Sequence, residues 1–168
     1  MLWRRSLTAV VLAAALLAGC GGDDDAPQTK EGFISAADDV CQDLFSDFAR
    51  ASSNTPETPQ EVADANDELA DLYERLSARL DDVPLPEAGA ARTQAQAFVT
   101  SVRAAVPLLE NLRDASSRFV EAAETRDREA VTRAGNDVRT ALDSFRAARA
   151  ESDRRAIRYG LTFCGNLG

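Results

Sequence analysis

Apolar side chains recur at intervals of three and four residues along most of the chain after residue 30, and this spacing constrains the fold more than any other feature. Residues three and four apart lie on one face of an α-helix, so each such series predicts an amphipathic helix with one buried face. The first series runs from Glu31 to Ser53 and the second from about Pro59 to Asp82. Their apolar positions are Phe33, Ala37, Val40, Cys41, Leu44, Phe45 and Phe48, then Val62, Ala65, Leu69, Leu72, Tyr73, Leu76 and Leu80.

Two longer series of the same kind follow. The third extends from Ala91 to Ala123 and contains Pro107. A proline has no N–H for the carbonyl four residues earlier, so we expect a kink there, while a complete break would give five helices. Asp127 is a suitable N-cap for the fourth helix, and Gly160 suits the position just after its end. The apolar positions of this helix are Val131, Ala134, Val138, Leu142, Phe145, Ala148, Ser152, Ala156 and Tyr159.

Four amphipathic helices joined by short loops predict an all-α fold, an antiparallel up-down four-helix bundle with a kinked third helix. Strand signals are nearly absent. The cysteine positions agree with this topology, because Cys41 lies near the start of the first helix and Cys164 lies just beyond the fourth. An even number of helices brings these two ends together, whereas an odd number would separate them.

The N-terminus has the pattern of a secretory signal peptide. Arg4 and Arg5 supply its positive region, and residues 7–17 form an apolar run. That run is roughly half of the ~20 residues that a membrane-spanning helix needs, so a permanent transmembrane anchor is the weaker interpretation.

The run ends in Leu17-Ala18-Gly19-Cys20, which resembles the lipobox of bacterial lipoproteins. The resemblance implies that a diacylglyceryl group is attached to the Cys20 thiol and that a type II signal peptidase cuts between Gly19 and Cys20. The alternative is an ordinary secretory signal that happens to contain a cysteine. We therefore expect a lipid-anchored protein on the outer, extracytoplasmic face of the cell membrane.

These features divide the chain into three parts. Residues 1–19 are the predicted lipoprotein signal peptide, and residues 20–30 are the lipid-modified cysteine with a flexible acidic linker. Ten residues of such a linker span about 16–19 Å on average. Residues 31–168 form the predicted bundle domain.

The charge balance restricts the partners. The chain has 28 acidic and 19 basic residues, and its net charge is −9. Removal of residues 1–19 takes away Arg4 and Arg5, which leaves 17 basic residues and a net charge of −11. Such a surface repels phosphates, so we expect no nucleic acid partner and a membrane attachment that depends on the lipid at Cys20.

The absence of histidine restricts the chemistry. It excludes Ser-His-Asp triads, histidine-based metal sites and the Glu-x-x-His ligands of di-iron bundles. No catalytic constellation is recognisable, and we expect neither an enzyme nor a bound cofactor. Cys41 and Cys164 remain as an even pair in an oxidising compartment, which predicts a disulfide, with two unpaired buried thiols as the alternative.

Several polar residues are candidates for a site. The stripes Asp39/Asp43/Asp47 and Asp64/Glu68/Asp71 would offer oxygen ligands to a divalent cation if their helices were adjacent, but solvated faces paired with arginine are the more common arrangement. We predict no metal site. Tyr73 and Tyr159 lie on apolar faces, which predicts core packing with the hydroxyl at the rim. The amides of Asn66 and Asn111 either line a small polar pocket or set the register of the bundle.

Two short segments carry a further resemblance. Residues 33–41 (FISAADDVC) and 159–165 (YGLTFCG), with the lipobox and the Asp-rich linker, resemble a group of small actinobacterial lipoproteins that has no established activity. The resemblance implies the same location and fold. By resemblance, Cys41 and Cys164 match the paired cysteines of that group. It implies no mechanism.

We therefore expect a membrane-anchored, non-catalytic binding or interaction module. Its partner would be a protein, a wall component or a small ligand. The alternatives are a cation- or small-ligand-binding bundle and an enzyme whose carboxylates work without histidine. A pocket with strongly perturbed carboxylates would favour the enzyme, and a filled core would count against it.

Overall fold

The computed structural model describes residues 29–53 and 55–167. These residues form five helices: α1 (Lys30–Ser53), α2 (Pro59–Asp81), α3 (Gly89–Arg103), α4 (Val106–Thr125) and α5 (Arg128–Tyr159). A short 3₁₀ turn at Cys164–Asn166 follows α5. The predicted signal peptide, Cys20 and most of the predicted linker lie outside the described residues.

The predicted all-α bundle is confirmed. Side-chain contacts show that neighbouring helices run antiparallel: Asp43 of α1 pairs with Arg79 of α2, and Arg50 near the end of α1 pairs with Glu68. The single helix α5 packs along both α3 and α4, so these two segments follow one direction and together form the third rod of the bundle. In the described part of the chain, no helix combines the length and the apolar character needed to span a membrane.

The third rod is interrupted just before Pro107. Helical structure stops after Arg103, Ala104 and Ala105 form a turn, and α4 begins at Val106. Pro107 occupies the first turn of α4, where a missing N–H costs little. In a continuous helix its ring would meet the carbonyl of Arg103, which is the reason for the break. The chain direction does not reverse, so four rods remain and the two cysteines meet.

The core lies along the facing sides of the rods. The Tyr73 ring contacts two other rings edge to face. Its centroid lies 5.4 Å from that of Phe48 and 4.9 Å from that of Phe145. Phe145 and Tyr159 on α5 are both buried, and Phe33 of α1 contacts the Tyr159 ring edge to face at 5.5 Å.

Phe45 departs from the prediction. It was expected on the buried face of the first helix, but 45% of its surface is exposed. Successive residues are about 100° apart around a helix, and the buried face of α1 is already centred on Leu44 and Phe48. Phe45 lies on the flank of that face, where α1 has no neighbour to cover it.

Side-chain caps define two helix starts. Before α2, the Thr58 hydroxyl accepts the Glu61 N–H at 3.2 Å, and the Glu61 carboxylate accepts the N–H groups of Thr58 and Glu57 at 3.0 and 2.7 Å. This reciprocal arrangement is a capping box. Asp127 caps α5 as expected, and Gly160 ends it with φ of 105°.

Candidate functional site

The predicted disulfide is confirmed. It joins Cys41 on α1 to Cys164 in the C-terminal turn, with 2.02 Å between the sulfurs and a sequence separation of 123. Both cysteines are buried. The bridge closes nearly the whole bundle into one covalent loop.

Asp38 fixes the C-terminal turn beside the disulfide. Its carboxylate accepts the backbone N–H groups of Thr162, Phe163 and Cys164 at 2.8, 2.9 and 3.2 Å. We did not predict this role from the sequence. The available signal was an acid three residues before a cysteine, which places both on one side of a helix. The segments 33–41 and 159–165 therefore lie against each other, and this part of the molecule has a structural role.

Tyr159 lies in the same region. Its ring contacts Phe33 edge to face at 5.5 Å, and Lys30 Nζ lies 5.1 Å from the ring centroid. Only 1% of its surface is exposed, and its hydroxyl has no hydrogen-bond partner among the described residues. The predicted core packing is correct, but the hydroxyl is buried instead of lying at the rim. Burial raises the pKa of Tyr159, and the nearby charge of Glu31 raises it further.

The two acidic stripes contact arginines. Asp43 pairs with Arg79 at 2.7 Å. Asp47 lies 2.7 Å from Arg50, which also reaches Glu68 of the second stripe at 3.9 Å. Within the described ranges, no group of three or more carboxylate or cysteine side chains is placed to hold a metal ion.

Arg113 of α4 is a second centre of ion pairing that we did not predict. It contacts three acidic side chains on α2: Asp67, Asp71 and Glu74. Its guanidinium is less exposed than those carboxylates. Arginine provides a planar fork of donors, which suits one cation shared by several carboxylates. These contacts connect α2 to α4.

The two asparagines do not share a pocket. Asn66 Nδ2 donates to the Ser116 hydroxyl at 2.8 Å, and that hydroxyl donates to the Leu112 carbonyl at 2.9 Å. Ser116 is buried, so this pair favours the register role. Asn111 lies elsewhere, in a shallow groove between α4 and α5 that also contains Arg118.

The carboxylates show little sign of acid–base chemistry. An acidic groove of about 410 Å³ lies where α1 meets the start of α2, and it contains Glu57, Glu61, Asp64 and Glu68. Backbone N–H groups of Glu57 and Thr58 lower the pKa of Glu61, which is the opposite of what a general acid needs. Burial raises the pKa of Asp153, but the core cavity beside it measures about 10 Å³, which is no larger than a water.

A long groove runs between α3 and α5. Its main part, about 520 Å³, is walled by Ala97, Ala104, Ala148 and small polar residues that include Thr100 and Ser101. It continues into a pocket of about 220 Å³ that contains Arg158 and Tyr159. Both parts share Ala97, Glu151 and Arg155, so they form one continuous surface. We call this surface the α3–α5 groove.

Charge is unevenly distributed in the α3–α5 groove. Glu151 accepts hydrogen bonds from Arg154 at 2.6 Å and from Arg155 at 2.8 Å. These bonds, with that of Arg154 first, lower the pKa of Glu151. Among the described residues no carboxylate lies within 4.0 Å of the Arg158 guanidinium, so the Tyr159 end of the groove has an excess of positive charge.

We compared the chain with models of protein families, with curated proteins and with solved structures, and none of the three comparisons finds a match. The candidate site is therefore interpreted from its own residues.

Proposed function

We propose that this chain is an extracytoplasmic lipoprotein whose helical bundle is a non-catalytic binding module. The lipid on Cys20 holds it at the outer face of the cell membrane, and the bundle recognises a protein, a wall component or a small ligand. The short apolar segment that ends in Leu17-Ala18-Gly19-Cys20 supports the anchor. The α3–α5 groove is the observation that supports binding.

The groove is suited to recognition because it combines two kinds of surface. Alanines of both helices leave room between the rods, and Thr100 and Ser101 offer hydroxyl groups along one wall. The Tyr159 end adds the charged groups of Glu151, Arg155 and Arg158. Binding sites commonly pair an apolar surface with a few polar groups that fix the orientation of the ligand.

Binding is favoured over turnover by the state of the acidic side chains. Asp43, Asp47 and Asp71 are paired with arginines that join neighbouring helices. Glu61 and Glu151, which line two of the grooves, both have lowered pKa values, and both accept hydrogen bonds. A carboxylate engaged in this way is a poor proton donor or acceptor near neutral pH.

A surface substitution experiment tests this proposal. Changing Gln96, Thr100 and Arg155 together to alanine should abolish partner crosslinking on intact cells without changing the melting temperature. These positions are at or near the surface, and an exposed ion pair such as Arg155–Glu151 contributes about 0–1 kcal/mol to stability.

The matched control lies in the shallow groove between α4 and α5. Changing Asp114, Arg118 and Thr140 to alanine there should leave crosslinking unchanged. The proposal is wrong if the purified protein shows reproducible turnover that disappears when a single aspartate or glutamate is changed.

A further inference from the structure

The end of the bundle where α1 begins and α5 finishes exposes apolar side chains. In the part of the chain that the structure describes, three large apolar side chains are exposed: Phe45, Ile157 and Phe163. The last two belong to this end, and Ile157 is the most exposed of the three, at 60%. A methyl group added to Gly165 would lie 2.7 Å from Ile157 Cγ1, so the turn that carries Phe163 packs directly against Ile157. The two exposed side chains therefore belong to one surface.

Ile34 extends this surface to the start of α1. It is half-buried, and its Cδ1 lies 3.4 Å from the position that a methyl group would take on Gly160. Lys30, the first residue of α1, lies over the Tyr159 ring at 5.1 Å. Because the predicted linker joins the bundle at Lys30, we call this surface the tether end. It consists of Lys30, Ile34, Ile157, Arg158 and Phe163.

The length of the predicted linker keeps the tether end close to the lipid. Lys30 is ten residues after Cys20, and ten residues of a linker with this composition would span about 16–19 Å on average. The 32 residues of α5 correspond to about 48 Å at the usual helical rise. Since the linker is much shorter than the bundle, a lipid on Cys20 would keep the tether end near the bilayer in any orientation of the bundle. This proximity gives the tether end a high effective concentration at the bilayer, so a weak contact is sufficient.

The charges of the molecule favour contact with the bilayer at the tether end. Its basic groups are Lys30 and Arg158, and Glu31 beside them offsets one of these charges. Next along α1 are Asp38, whose carboxylate accepts three backbone N–H groups, and the exposed Asp39. The groove that contains four acidic side chains lies at the opposite end, where α1 meets the start of α2. A bilayer with anionic head groups therefore repels the opposite end more strongly than the tether end.

The small size of the exposed surface favours a bilayer over a second copy of the chain. A stable protein interface buries about 800 Å² on each partner and involves roughly 20–30 residues. The tether end has two exposed apolar side chains and the half-buried Ile34. A few apolar side chains are sufficient at a bilayer that already holds the lipid, because the lipid provides the affinity and the side chains set the orientation.

We infer that the tether end rests on the bilayer surface, with Ile157 and Phe163 inserted at the level of the lipid head groups. Lys30 and Arg158 then lie near the lipid phosphates, and the acidic opposite end points away from the membrane. This assignment rests on the proposed lipid anchor and adds to it a fixed orientation of the bundle.

Tryptophan fluorescence of the mature lipoprotein in vesicles tests the assignment. The chain has one tryptophan, Trp3 in the predicted signal peptide, so the mature protein would have none. Phe163→Trp places a single indole at the tether end. Phe45→Trp is the matched control, because Phe45 is also exposed but lies about 22 Å from Lys30 along α1. Both variants are isolated with their lipid and incorporated into vesicles of phosphatidylcholine and phosphatidylglycerol, with or without bromine near the head-group end of the acyl chains.

Brominated lipid should quench at least about half of the emission of Phe163→Trp, because apolar groups at the interface lie about 5–10 Å deep. It should quench about a tenth or less of the emission of Phe45→Trp, which stays in water. If Phe163→Trp does not fold, Ile157→Trp gives the same measurement from α5.

A second pair of variants tests whether the apolar contact matters. Ile157→Asp in the Phe163→Trp background should reduce the quenched fraction at least about twofold, because a carboxylate resists removal from water. Phe45→Asp in the same background adds the same charge elsewhere on the surface and should leave the quenching unchanged.

The assignment is overturned if brominated lipid quenches Phe163→Trp and Phe45→Trp equally. It is also overturned if Phe163→Trp has a blue-shifted emission without quenching, which a second copy of the chain on this surface would produce. Both results leave the proposed function standing, because the vesicles still carry the protein. A mature protein that does not float with the vesicles would contradict the proposed anchor, and this assignment with it.

Discussion

Asp38 is the residue whose role is most specific to this fold. Three consecutive backbone N–H groups of the C-terminal turn donate to its carboxylate, and that turn carries one half of the disulfide. Backbone N–H groups outside a helix need hydrogen-bond acceptors when they are buried. Asp38 provides one partner for three of them and so positions Cys164 against α1.

Asp38→Ala should destabilise the bundle by about 1–2 kcal/mol. Hydrogen bonds to a charged group contribute about 1.5–3 kcal/mol, and partial exposure to water reduces that contribution. Urea unfolding with the disulfide intact measures the change. Asp39→Ala is the matched control, because Asp39 is exposed and makes no hydrogen bond or ion pair with the described residues. Equal midpoints for the two variants would contradict the role of Asp38.

Replacing two glycines of α5 and its end by alanine should change the stability of the fold in opposite directions. Gly160 ends α5 with φ of 105°, so Gly160→Ala should cost about 1–2 kcal/mol. Gly135 lies inside α5, where an added methyl group would lie 3.5 Å from the Phe119 ring, an ordinary contact. Gly135→Ala should therefore stabilise by about 0.5–1 kcal/mol. Thermal unfolding should show a lower melting temperature for Gly160→Ala and a higher one for Gly135→Ala. Shifts of the same sign in both variants would contradict the roles assigned to the two glycines.

The start of α2 should respond to pH through Glu61. Hydrogen bonds from the N–H groups of Glu57 and Thr58 lower the pKa of Glu61 below its ordinary value of 4.5. A lowered pKa in the folded state means that the ionised form stabilises the fold. That contribution is complete above pH 4.5 and is lost as the pH falls through the folded-state pKa.

Glu61→Gln tests this at the scale of the helix. The glutamine can still accept a hydrogen bond, but it cannot be charged. The wild-type protein should therefore be more stable than the variant at pH 7, and the difference should shrink as the pH falls below about 4.5. Urea unfolding of both proteins across that range measures it. If the wild-type protein and the variant differ in stability by the same amount at pH 7 and at pH 3, the role of the Glu61 charge is contradicted.

The helices were predictable where a periodic apolar face and a local stop signal coincide. The spans predicted for the first two helices match α1 and α2 to within one residue at each end, because Pro59 and the capping box define the start of α2. A kink at Pro107 was expected, with a complete break as the alternative, and the structure has the break, at Ala104 and Ala105. The expected burial of Phe45 was wrong because periodicity gives the apolar side of a helix but not the width of the neighbour that covers it.

At the scale of the whole molecule, the bridge between Cys41 and Cys164 closes a loop with a sequence separation of 123. In the chain-entropy description a loop of this length stabilises by up to about 5 kcal/mol. Changing both cysteines to alanine should lower the free energy of unfolding by several kcal/mol in a urea titration. Thiol alkylation of the denatured, unreduced mature protein should label neither cysteine. Labelling of both would show that the native protein lacks the disulfide.

The disulfide was predictable from the cysteine count and the topology, but the candidate site was not. The groove depends on small residues of α3 and α5 that face each other, and alanine is common throughout this chain. The unpartnered hydroxyl of Tyr159 depends on how deeply the ring is buried, which the sequence pattern does not determine. The long-range pairs of Asp38 and Arg113 likewise needed the packed bundle.

In the proposed function, a lipid on Cys20 holds this acidic bundle at the membrane surface. Mass spectrometry of the mature protein, isolated from cells that process bacterial lipoproteins, tests the proposed anchor. We expect an N-terminal peptide that begins at Cys20 and carries the mass of an attached diacylglyceryl group, partition of the protein into the detergent phase, and an uncut precursor for Cys20→Ala. A mature wild-type protein that begins elsewhere, bears no lipid and partitions into the aqueous phase would contradict the proposed anchor.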